Sequence, residues 1–177
     1  MDNTRPQRGT KEQKMRQTLL QHIGLGRTAI LLLLAVSGLN QLLLLLKVNY
    51  HFLFSLGMPY HLNWLAGKLA GTAAGGPLRV IAVIVALLSF IAYGACWMLS
   101  AQRREFLKTA LLLYCLDTLL LVVFALGCLK NPFSCLLEVL VHVIGIFVLY
   151  DAHRSAQQLW RMSRKRKPRP RQEEHFE

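Results

Sequence analysis

Four apolar stretches dominate this chain, at residues 28–46, 80–99, 107–129 and 133–150. A helix needs about 20 apolar residues to cross the hydrocarbon core of a bilayer, and each stretch approaches or meets that length. Inside lipid no water is available to backbone N–H and C=O groups, so such stretches must satisfy those groups within helices. Composition points the same way. Of 177 residues 54% are hydrophobic and 17% charged, where soluble domains carry about 25% charged residues. A soluble enzyme, a disordered chain and a disulfide-stapled secreted domain are therefore poor fits. The expected fold is all-α, a four-helix transmembrane bundle.

The chain divides into a basic N-terminal segment (1–27), a four-span membrane domain (28–150) and a basic tail (151–177). The first stretch is longer than the 7–15-residue core of a signal peptide and ends in Leu46-Lys47 without a small-residue cleavage site, so it reads as a retained span. Gly71 to Pro77 forms a small-residue linker, and Pro77 suits the first turn of the second span. The third stretch contains Asp117, whose insertion cost is outweighed by the surrounding leucines. The fourth is the shortest and carries Glu138 and His142.

The net charge of +12 has a membrane explanation. Lys and Arg concentrate on cytoplasmic flanks of membrane helices, where anionic lipid attracts them. Seventeen of them fall in the two terminal segments and in or beside the connection between spans two and three (Arg103, Arg104 and Lys108), against four in the other connections. Both termini are therefore expected in the cytoplasm of a cell membrane. The tail residues Arg161, Arg164, Lys165, Arg166 and Lys167 are expected to contact anionic lipids, with Trp160 anchoring an in-plane amphipathic stretch from Ala152 to Met162. No zinc-finger spacing, RNP motif or aromatic-interleaved basic face accompanies the charge, so nucleic acid is not expected as a partner.

The connection between spans one and two is too apolar for a simple solvated loop. Pro59 suits a helix start, and Leu62, Leu65 and Leu69 recur at helical spacing. A short interfacial helix is expected there, on the outer surface or capping the bundle, with its aromatic residues at headgroup level. Tyr50-x-Phe52-Leu53-Phe54-Ser55 followed by Pro59-Tyr60, after a Leu-rich first helix bearing Asn40, resembles a group of small four-span membrane proteins of low-GC Gram-positive bacteria. The resemblance covers about the first two helices. It implies a bacterial cell membrane and no particular chemistry.

Ionisable groups within a membrane are costly and mark sites for scrutiny. Asp117 and His142 lie near the middle of spans three and four, and Asn40 close to the same depth in span one. Glu138 stands one turn outward of His142 on the same face, level with Gln41. The expectation is an intramembrane polar layer of Asn40, Asp117 and His142, with Gln41 and Glu138 above it. Such a layer can be interhelical glue or, through Asp117 and His142, a proton or cation path. The spacing matches no metal-binding framework, so neither metal nor cofactor is expected.

Cys96 and Cys115 read as buried hydrophobes, whereas Cys128 and Cys135 bracket the connection between spans three and four and could form a disulfide in an oxidising exterior. Ala82, Ala86, Ser89 and Tyr93 form a face suited to close packing in span two. No catalytic triad order, paired catalytic carboxylates or P-loop occurs, so an enzyme is not expected. The sequence thus reads as a structural or accessory multi-pass protein acting with another membrane protein, or alternatively as a small transporter or channel subunit.

Overall fold

A computed structural model describes the backbone of residues 5–48, 50–128 and 132–165, and the side chains of 11–48, 50–126 and 136–164. The described chain is all-helical: α1 (Arg5–Leu45), α2 (Gly57–Lys68), α3 (Gly75–Leu99), α4 (Glu105–Cys128) and α5 (Pro132–Lys165). Among the described residues, α1, α3, α4 and α5 are long and apolar enough to cross a membrane, and α2 is the short helix between the first two. The four long helices pack in the cyclic order α1, α3, α4, α5, and α2 fits against α1, α3 and α4 at one end of the ring. Leucine, isoleucine and valine side chains cover the outside of the bundle, as a lipid-facing surface requires.

Two helices extend well past the apolar stretches. α1 begins at Arg5 and α5 continues to Lys165, so polar residues 5–27 and 151–165 are helical too. The two extensions lie together: Asp151 is bonded to His22, and a Cβ on Gly26 would collide with that of Ala152. Gly26 is therefore the residue that lets α1 and α5 approach. The 152–162 segment, expected as a separate in-plane stretch, is part of the continuous α5, with Ala152, Ser155 and Ala156 buried.

α1 ends with Lys47 in the left-handed region at φ 58°. The Val48 amide bonds the Leu43 carbonyl at 2.9 Å and the Lys47 amide that of Leu44 at 3.1 Å. This pair of bonds is the Schellman arrangement, which satisfies carbonyls left open by the helix end. It also reverses the chain, so that residues 50–56 run back into the bundle rather than away from it.

Candidate functional site

α2 meets the bundle through its first turn, where Gly57, Pro59, Tyr60 and His61 are buried. A helix start has four N–H groups without intrahelical partners, and burial away from water makes each one expensive to leave open. Here all four are accounted for. The Leu56 amide donates to Ser37 Oγ at 2.8 Å. The Gly57 amide donates to Asp117 Oδ2 at 2.9 Å and the Met58 amide to Asp117 Oδ1 at 3.0 Å. The fourth position is Pro59, which has no N–H. Asp117 thus caps α2 from another helix, with its carboxyl oxygens at the positive end of the α2 dipole.

The preceding segment is held from α1. Asn40 Oδ1 accepts from the Phe52 amide at 2.8 Å, and its Nδ2 donates to the Phe52 carbonyl and to Ser55 Oγ, both at 2.8 Å. Ser37 accepts from Leu56 and donates to the Leu33 carbonyl at 2.6 Å. Gln41 Oε1 accepts from Asn63 Nδ2 at 3.0 Å. These three residues recur at helical spacing, so one face of α1 carries all the side chains that grip the chain between α1 and α2.

From the opposite side α5 contributes Glu138 and His142. Glu138 and His61 are almost fully buried and face each other, with Nε2 3.1 and 3.2 Å from the two carboxylate oxygens. The His61 ring also stacks on Phe124, centroids 5.2 Å apart. His142 is fully buried; its Nδ1 lies 2.9 Å from the Glu138 carbonyl, and its ring lies flat on Tyr114, 5.1 Å between centroids. The Glu138 carbonyl can only accept, so Nδ1 carries a proton. The other nitrogen, Nε2, stands 3.4 Å from Asp117 Oδ2, within ion-pair range but without a hydrogen bond.

The polar side chains of the expected layer are thus distributed differently from a single interhelical cluster. Asp117 and His142 come together. Asn40, Gln41 and Glu138 each reach the segment from Phe52 to Asn63 instead. Glu138 turns towards His61, and no set of three His, Cys, Asp or Glu side chains converges as metal ligands among the described residues. Cys128 and Cys135 lie outside the residues whose side chains are described, as do Lys165, Arg166 and Lys167. Arg161 and Arg164 belong to the last turns of α5. The face of α3 expected to pack inward holds Ala82 and Tyr93 buried, with Ala86 and Ser89 half-buried.

Three participants escaped the sequence reading: Ser37, His61 and His51. His51 stacks on Tyr60 with centroids 4.5 Å apart and stands 6.4 Å from the His61 ring, while its Nε2 is buried without a hydrogen-bond partner. Burial pushes the His51 pKa down, opposed by the Glu138 carboxylate, and the same burial raises that of the Tyr60 phenol. The available signal was charge balance. A buried Glu138 requires a partner, and histidines in an otherwise apolar connection are the nearest supply.

Comparison with protein-family models, with curated proteins and with solved structures finds no match to this chain.

Proposed function

We propose that this protein is a structural or accessory component of a bacterial cell membrane, with both termini cytoplasmic and α2 on the exoplasmic side. It performs no reaction of its own and acts through another membrane protein, while the basic ends of α1 and α5 contact anionic lipid. The observation that carries this reading is the use made of the intramembrane polar groups: Asp117, Glu138, Asn40 and Ser37 each bind the segment from Phe52 to His61. Groups committed to holding a helix in place are suited to presenting a fixed surface. Reporter fusions provide the topological test, with a cytoplasmic signal expected after Glu177 and an exoplasmic one near Ala70. An exoplasmic C-terminus overturns the orientation. For the role, wild type and Asp117→Asn are reconstituted into vesicles with an internal pH dye. Neither should conduct protons under an imposed gradient, and the variant should lose stability.

A second reading, a proton or cation path through Asp117 and His142, is favoured by a different observation. His142 Nε2 and the hydroxyls of Tyr93 and Tyr114 are buried without hydrogen-bond partners among the described residues. Ordered water bridges polar groups of this kind, and an imidazole beside a carboxylate exchanges protons near neutral pH. Proton flux in wild type that disappears in Asp117→Asn would establish this reading over the first.

A further inference from the structure

At the end of the bundle where α1 begins and α5 ends, a cleft of about 520 Å³ opens between α1, the turn at 100–104 and α5. Its walls are chemically divided. Leu20 and Ile23 of α1, Leu107 of α4 and Leu159 of α5 make an apolar side, while Arg103 and Arg104 stand on the connection. Trp160 closes the α5 side, and the Arg104 guanidinium lies 3.8 Å from its ring centroid. The Arg164 guanidinium lies 3.9 Å from the centroid of the same ring.

Two guanidinium groups at these distances from one centroid sandwich the indole between them, which concentrates positive charge at this side of the cleft and favours an anion there. Local acid is scarce. Glu105 takes Arg104 Nε at 3.0 Å, which leaves the terminal nitrogens of that guanidinium for another acceptor. Arg103 is exposed and has no side-chain partner among the described residues. Guanidinium forks match phosphate oxygens. An apolar wall directly beneath such a pair suits a ligand that is anionic at one end and hydrocarbon at the other.

We propose that this cleft binds the headgroup phosphate of an anionic phospholipid, with Arg103 and Arg104 on the phosphate and an acyl chain along Leu20, Ile23 and Leu159. The site is a built pocket, separate from diffuse attraction of the basic tail. It rests on the four-span reading but not on the accessory role, and its test involves neither a protein partner nor ion flux, so the two fail independently.

The test is native mass spectrometry of the full chain in an uncharged detergent, titrated with dioleoylphosphatidylglycerol or dioleoylphosphatidylcholine. Wild type should retain the phosphatidylglycerol preferentially. Arg103→Gln, at an exposed and unpaired position that leaves the fold intact, should weaken retention about fivefold, as loss of one basic contact implies. Arg103→Gln with Arg104→Gln should weaken it further. Arg79→Gln removes the same charge from an exposed residue near the start of α3, outside the cleft, and should leave retention unchanged. Equal loss in Arg79→Gln, undiminished retention in the double variant, or equal retention of phosphatidylcholine overturns the proposal. So does displacement by excess inorganic phosphate, which would make the site one for free phosphate rather than lipid.

Discussion

His142 Nε2 on α5 stands 3.4 Å from Asp117 Oδ2 on α4. His142 Nδ1 faces the Glu138 carbonyl at 2.9 Å, so Nε2 is the ring nitrogen turned towards the carboxylate. The two side chains bring α4 and α5 together at the point where Asp117 also holds the start of α2.

Removing this carboxylate should release α2. Asp117→Leu leaves the Gly57 and Met58 amides buried without acceptors, at about 1–3 kcal/mol each. Asp117→Asn retains one acceptor oxygen but turns an NH2 donor towards the other amide, so an intermediate loss is expected. Reversible detergent unfolding gives the energies. Hydrogen exchange locates them: the amides of residues 57 and 58 should lose protection in Asp117→Asn, while that of Phe52, held by Asn40, should keep it.

A double-mutant cycle tests the pair itself. Asp117→Leu combined with His142→Leu should cost less than the sum of the single changes, by about 0.5–3 kcal/mol, as for residues in contact. Additive losses would show that the two side chains do not interact.

Acid should weaken the α2 region through His51. Its pKa is lowered in the folded protein by burial, so the unfolded chain takes up a proton there before the folded one does. Stability is fully present above the unfolded value of about 6.5 and is lost as the pH falls from there through the folded pKa. Replacement by a residue that does not titrate, His51→Phe, should flatten this part of the stability curve measured between neutral and mildly acidic pH. An unchanged slope would assign the acid response to other groups.

Close packing of α4 on α5 depends on Gly145. A Cβ there would stand 2.6 Å from Tyr114 Cε1, and Tyr114 is itself stacked on His142. Gly145→Ala should therefore destabilise by about 1–3 kcal/mol, the usual penalty of overpacking, although alanine is the better helix former. The parallel change Gly94→Ala meets nothing within 4 Å and should be neutral or slightly stabilising. Thermal unfolding of the two variants in one detergent makes the comparison.

The sequence by itself determined the four long helices, the short helix after the first and the all-helical character of the described residues, because a bilayer leaves an apolar chain so few ways to satisfy its backbone. Periodicity also placed Ala82 and Tyr93 on a packed face. It could not determine what the polar side chains bind. The partners of Asn40 and Gln41 are backbone and side-chain groups of residues 52–63, which a reversing turn at Lys47 carries back into the bundle. Depth along a helix follows from residue count, but the return of a connecting segment depends on two dihedral angles and on acceptors supplied by other helices. The capping of α2 by Asp117, some sixty residues further along the chain, exists only once α4 is packed against it. Likewise Glu138 looked like a companion to His142 on one helix face, and only the placing of α2 turned it towards His61. Apolar length marked the cores of the four long helices; the unmet hydrogen bonds of one buried helix end decided how those helices are used.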